Sequence, residues 1–171
     1  MDERVALVTG AGQGVGRAIA LASARQGARI VIVNDYVEER ARRVAEEVTA
    51  MNIGVQGFPC QADVTQWAEV SRMIKEVADK FGSVDVLVNN AGNAGHAVAD
   101  VMGSSREFVE TDPDDWDAWV DVNFLAPNHC LAIFTAIHKL LKFVRNWSWN
   151  LRRLHPGNRD RHTEFTFQCF R

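Results

Sequence analysis

The chain opens on a short apolar run, Val5-Ala-Leu-Val-Thr9, that stops at Gly10. An unbroken run of this kind, bounded by a turn signal, fits a strand buried on both faces. A glycine-rich stretch follows at once. Arg17 to Gln26 then places Ile19, Ala20 and Ala24 on one helical face, with Gly27 as the stop. The same alternation continues along the chain. Ala28 to Asp35 is a second, β-branched strand, and Glu38 to Met51 is a charged helix whose Ala41, Val44, Ala45 and Val48 form a buried stripe. Val55 to Ala62 reads as a third strand. Trp67 to Phe81 reads as a third helix, with Val70, Met73, Ile74 and Val77 inward and Gly82 closing it, and Val84 to Val88 as a fourth strand. Residues 93–113 form a long polar loop. A long helix starts near Asp114, behind the acids Asp112, Asp114 and Asp115 that suit the positive end of a helix dipole.

Strands alternating with helices of about 10–15 residues predict parallel strands joined by right-handed crossovers. The expected fold class is α/β, a doubly wound, Rossmann-like parallel sheet that is incomplete at its C-terminal side. Composition agrees with it. The 171 residues are 47% hydrophobic and 24% charged, as in one soluble domain with a sizeable core. No apolar stretch approaches the roughly 20 residues of a membrane helix, and Val5 to Val8 is too short for a secretory signal, so the expected location is cytoplasmic. Cys60, Cys130 and Cys169 are odd in number and lack CxxC spacing, which argues for free thiols and against a metal site.

Charge divides the chain. Residues 1–137 carry 20 Asp+Glu against 11 Lys+Arg, whereas residues 138–171 carry 2 against 8 and contain no alanine. The expected organisation is an acidic domain over 1–137 and a basic, atypical tail over 138–171, which could be an out-of-frame or alternatively spliced peptide. His155 and His162 fall in a polar stretch of that tail with no orienting framework. The basic, tryptophan-containing segment Lys142 to Arg153 lacks a nucleic-acid-binding motif, so nucleic acid is not the expected partner. His96 reads as a loop histidine, and Trp116 and Trp119 as core or helix-interface anchors.

The glycine turn Gly10-Ala-Gly-Gln-Gly-Val-Gly16 carries the chemistry. It follows a strand, opens a helix, and has an acidic residue about 20 positions on, which is the setting of a dinucleotide site. Gly10 permits the tight turn, while Gly14 and Gly16 let the helix backbone approach a pyrophosphate whose charge its amides and dipole stabilise. Asp35, near the end of the second strand, can accept hydrogen bonds from an adenosine ribose and would repel a 2′-phosphate. With Gln13 rather than an arginine in the turn, NAD is favoured over NADP. Asn34 could be the reading residue instead, or Asp35 a solvated strand-end carboxylate.

Thr9-Gly-Ala-Gly-Gln-Gly-Val-Gly16, Asp63-Val64, Asn89-Asn-Ala-Gly92 and Asn123, in that order, resemble the short-chain dehydrogenase/reductase family over about residues 4–137. The resemblance implies hydride transfer between a nicotinamide cofactor and an alcohol or carbonyl substrate. It implies that Gly10, Gly14 and Gly16 hold the pyrophosphate, with Thr9 and Val15 of the same turn also cofactor-binding, that Asp63 bonds the adenine amino group, and that Val64 packs beside that ring. Asn89, Ala91 and Gly92 belong to the turn that would steady the sheet beside the cofactor, and Asn123 would hold a water in a proton relay. Beyond that span the family's serine-bearing strand and Tyr-x-x-x-Lys pair are missing, since Tyr36 is the only tyrosine and Lys142 the last lysine. Loss of a general acid/base lowers a rate by about 10²–10⁴. The expectation is a C-terminally truncated oxidoreductase, weakly active or inactive. The alternative is a non-catalytic nucleotide-binding or interaction protein that pairs, as a homo-oligomer or with a full-length relative, through the helix near 114–143. The substrate is not legible.

Overall fold

A computed structural model describes residues 3–92, 117 and 119–137. The 93–113 loop, His96, Trp116, the start of the last helix, Cys169 and the histidines and basic segment of the tail lie outside the described residues. The chain divides into two units, Met1–His138 and Lys139–Arg171, and every described residue falls in the first.

Four strands form one parallel sheet in the order β3-β2-β1-β4. Strand β1 (Val5–Val8) sits inside, with β2 (Ile30–Asp35) on one side and β4 (Val86–Val88) on the other, and β3 (Gln56–Gln61) pairs with β2. Every residue of β1 and β2 is buried, which is why β1 reads as an unbroken apolar run and β2 as one up to the polar pair Asn34-Asp35. Because both faces are apolar, both must be covered. Helices α1 (Gly14–Arg25) and α2 (Glu38–Ala50) cover one face, where Ala20, Ala24, Ala41, Val44 and Val48 join Ala6, Val8, Val31 and Val33. Helix α3 (Trp67–Phe81) covers the other through Val70, Met73, Ile74 and Val77, against Val5, Leu7, Ile30 and Ile32. A fourth helix, α4 (126–137), adds Ala126, Cys130 and Ile133 to that second face. The sheet is thus wound on both sides, as expected.

The strand order matters for function. The chain runs outward from β1 to β2 to β3 and then returns to pair β4 on the far side of β1. At such a reversal the loops after β1 and β4 diverge and leave a crevice beyond the strand ends.

Local differences from the periodicity have identifiable causes. Strand β4 begins at Val86 rather than Val84, because the Asp85 carboxylate accepts the Val5 amide at 2.9 Å and takes a strand partner's place. Helix α1 begins at Gly14 rather than Arg17, as the Arg17 amide already reaches the Gln13 carbonyl at 3.0 Å. Gly27 and Gly82 both adopt positive φ, at +84° and +82°, and end α1 and α3 as the sequence indicates. The long helix expected from Asp114 is helical at 117 and 119–120 and then passes through a π-helical turn, Asp121–Leu125, before α4. Trp119 on this stretch is 48% exposed, so it is no core anchor.

Candidate functional site

The site is built outward from the glycine turn. Gly10 has φ +61°, and a side chain there would place its Cβ 2.8 Å from the Ala91 Cα. Both the turn and the close approach of β4's loop therefore require glycine. At Gly16 a Cβ would strike the Gly10 carbonyl, so α1 lies tight on the turn. Gly14 differs: its φ is +54°, yet no atom lies within 4 Å of where a Cβ would stand, and Val15 beside it is largely exposed. Gln13, the N-cap, makes no side-chain cap bond, and no acid lies in the first turn of α1. Uncapped amides at the positive end of a helix, facing open space, are an anion-binding arrangement.

The end of β2 is tied to this turn. Asp35 is 3% exposed, and its Oδ2 accepts the Gly12 amide at 3.1 Å while Oδ1 accepts the Val37 amide at 3.0 Å. A Cβ at Gly12 would lie 2.5 Å from both Asp35 Oδ2 and Arg40 Cβ, so this fourth glycine lets the carboxylate reach the turn. Asn34 spends its side-chain amide on the Cys60 and Ala62 carbonyls, both at 3.1 Å, clamping β2 to the end of β3. Burial pushes the Cys60 thiol up to about 11, with the Glu76 carboxylate adding to the shift.

Beyond β3, Asp63 Oδ1 accepts the Thr65 amide at 2.9 Å and the Thr65 hydroxyl at 2.8 Å, and Val64 is buried beside it. Across the crevice, the Thr9 hydroxyl accepts the amides of Asn90 and Ala91, both at 3.0 Å. The Asn90 side chain returns two bonds, to the carbonyls of Thr9 (2.9 Å) and Gly10 (3.2 Å). These bonds lock the loops after β1 and β4 together. Asn89 faces elsewhere and donates to the Pro127 carbonyl at 3.4 Å. Asn123 lies in the π-helical turn, donates to the Trp119 carbonyl at 3.0 Å, and keeps its Oδ1 so near Gly92 that a Cβ there would stand 2.7 Å away. A single π-turn within a helix often marks a functional position.

These elements enclose a cavity of about 430 Å³, within the range of ligand pockets. Of the sequence candidates, Gly10, Asp35, Asp63, Val64, Ala91 and Gly92 line it, as does Asn34. Thr9, Gly14, Val15, Gly16, Asn89 and Asn123 do not; Thr9 and Gly16 support its wall, and Asn123 adjoins the lining residue Val122. Asn90, from the Asn89–Gly92 turn, lines it too, and so do Tyr36, Arg40, Thr65 and Val122, which were not among the candidates. Arg40 lies one helical turn into α2, a spacing that could have placed it beside the end of β2. Among the described residues no cluster of His, Cys, Asp or Glu could hold a metal, and no helix is long and apolar enough to cross a membrane.

A doubly wound sheet whose crevice at the strand reversal combines an uncapped helix start, a buried strand-end carboxylate and close-packed glycines defines a Rossmann-type nucleotide-binding protein. Within that class, the chain belongs to the short chain dehydrogenase family, whose model matches residues 4–141. It is 39% identical over 126 residues to the 3-oxoacyl-[acyl-carrier-protein] reductase FabG of Staphylococcus epidermidis, covering 74% of this chain and 47% of that protein. A metagenomic short-chain oxidoreductase crystallised with NADP superimposes with a TM-score of 0.66 at 31% identity, over 80% of this chain and 57% of that one. A 7 alpha-hydroxysteroid dehydrogenase complexed with NADH and 7-oxo glycochenodeoxycholic acid gives 0.67 at 32% identity, over 78% and 47%. The chain thus spans about half the length of the curated relative it matches.

Proposed function

We propose that the crevice binds a nicotinamide adenine dinucleotide, NAD in preference to NADP, and that the chain contributes the cofactor-binding part of an oxidoreductase acting on an alcohol or carbonyl substrate. One observation carries this reading: a single cavity gathers the glycine turn, Asp35, Asp63 with Val64, and the Asn90–Gly92 loop at the strand reversal. The residues fit such a ligand. The open space at Gly14 and the uncapped start of α1 suit a pyrophosphate. Both Asp35 oxygens accept one backbone amide each and keep further lone pairs for ribose hydroxyls. Asn34 has committed its amide group to β3, which favours Asp35 as the ribose reader. When bound, the nicotinamide supplies the hydride acceptor or donor.

Asn123 is the residue we assign to the proton path, on the strength of the π-turn that brings it against Gly92. Tyr36 lines the cavity beside Asp35, at the adenosine end, and so is not placed to exchange the substrate's proton. We therefore expect this 171-residue chain to bind cofactor and turn over slowly. Buried free thiols at Cys60 and Cys130 suit the reducing cytoplasm. A second reading, a binding protein that pairs through its last helix, draws on the exposed Phe124 and Leu131.

The test is thermal unfolding with increasing NAD. Ligand at about 100 times Kd stabilises by about 2.7 kcal/mol, a clear upward shift in Tm. The shift should be smaller with NADP and largely lost in Asp35→Ala. No shift with either cofactor would overturn the proposal.

A further inference from the structure

The turn from β3 into α3 is braced by a contact that capping of the helix does not account for. Gln66, the N-cap of α3, provides no side-chain cap, and Glu69 in the first turn would ordinarily reach back to the N-cap amide. Its Oε2 accepts the Asp63 amide at 2.8 Å instead. Asp63 is thereby held at its backbone by Glu69 and at its Oδ1 by the amide and hydroxyl of Thr65. That leaves Oδ2 as the carboxylate acceptor available to the cavity that Asp63 and Thr65 both line. A carboxylate held in this way accepts an N–H donor and repels a carbonyl oxygen.

We propose that Glu69 is a positioning residue for purine recognition: by fixing the Asp63 amide it orients the carboxylate that accepts the exocyclic amino group of adenine, and so sets a preference for a 6-amino over a 6-oxo purine. This rests on reading the cavity as the adenosine site of a nicotinamide dinucleotide. Removing the Glu69 carboxylate leaves the Asp63 amide without its partner, the turn gains freedom, and the two purines are then treated alike. Glutamine at this position keeps a side-chain oxygen that accepts the same amide.

The experiment compares the dissociation constants of NAD and nicotinamide hypoxanthine dinucleotide by titration calorimetry on the full chain. Wild type, Glu69→Ala and Glu69→Gln are measured, with Tm recorded for each. Wild type should prefer NAD by about tenfold or more, since rejecting a ligand that mismatches a placed polar group is a strong effect. Glu69→Ala should bring that ratio to within about threefold, and Glu69→Gln should restore most of it. If Glu69→Ala does not fold, Glu69→Asp, one methylene too short to span the gap, carries the same expectation. A lowered Tm with both affinities reduced in equal proportion and the ratio intact would mean that Glu69 only supports the helix, and overturns the proposal. So does a wild type that binds both dinucleotides equally. Binding of neither overturns the cofactor reading itself, a result distinct from both.

Discussion

Arg40 is the one cationic side chain among the described residues that line the cavity, and it sits five positions after Asp35. Its guanidinium lies 5.8 Å from the centre of the exposed Tyr36 ring, and no carboxylate among the described residues comes within ion-pair distance of it. In the proposed cofactor reading, an arginine without a carboxylate partner among the described residues, beside the strand-end acid, would oppose the repulsion of a 2′-phosphate by Asp35. Arg40→Ala should weaken NADP by about tenfold while leaving NAD within about twofold, the size of a lost charge-assisted contact. Parallel titrations at two salt concentrations check this, because the NADP affinity of wild type should fall the more steeply with salt. Equal losses for the two cofactors would show that Arg40 only packs on Tyr36. The thiols make a separate prediction. Burial pushes Cys60 and Cys130 from an ordinary 9.0 up to about 11. Below pH 9 both states hold these protons and the stability is fully present; as pH rises toward 11 the unfolded chain ionises first, and stability is lost. Urea midpoints across that range should fall more steeply in wild type than in a Cys60→Ala/Cys130→Ala variant, and matching slopes would count against burial as the cause.

At the scale of elements, the glycine turn and α1 divide two roles that their sequence spacing merges. Gly16 has the Gly10 carbonyl and the Asn90 side chain against it, whereas Gly14 faces open space. Gly16→Ala should therefore destabilise the fold by about 1–3 kcal/mol, since backbone oxygen cannot yield as a flexible side chain would. Gly14→Ala should leave packing intact, paying about 1–2 kcal/mol for a side chain at positive φ, and weaken cofactor binding beyond that loss. Because the two stability losses overlap, cofactor titration read beside denaturant unfolding separates the roles: Gly14→Ala should lose more affinity than its stability loss accounts for and Gly16→Ala should not, and equal affinity losses would refute the division. The same elements show what periodicity could reveal. Strands β1 and β2, buried throughout, and the stripes of α2 and α3 were legible because one physical cause, burial, shaped every position. Strand β3 was legible in place although not in character: it is an edge strand, half exposed, with Pro59 in its run and the Lys80 ammonium 4.0 Å from the centre of the Phe58 ring. The π-turn at Asn123 was not legible, since no local composition marks an inserted residue in a helical repeat. Arg40, Thr65 and Val122 escaped for another reason. Thr65 and Val122 reach the cavity because the turn after β3 and the last helix converge at the strand reversal, a property of the topology, and Arg40, whose spacing after β2 was readable, needs that same convergence to face a cavity.

At the scale of the molecule, the last helix has two unequal sides. Ala126, Cys130 and Ile133 turn inward onto the α3 face of the sheet. Phe124 and Leu131, seven positions apart, are 62% and 53% exposed, with Trp119 also open to solvent. Phe124 belongs to the π-helical turn and Leu131 to α4, and both stand outside the set of side chains packed on the sheet. Single exposed apolar residues are ordinary, while several along one stretch are characteristic of a surface that meets another. On the pairing reading proposed above, a second copy of the chain would be the occupant, its identical face covering this one across a two-fold axis in a self-complementary contact. Wild type should then sediment as a monomer–dimer mixture that shifts with concentration, and Phe124→Glu/Leu131→Glu should run as monomer at every concentration tested. Neither residue lines the cavity, so the NAD-induced rise in Tm should survive the double substitution. If wild type itself stays monomeric throughout the concentration series, pairing through this face is excluded. If the variant loses both dimer and cofactor binding, these side chains support the fold of the π-turn beside Gly92 and are not an interface.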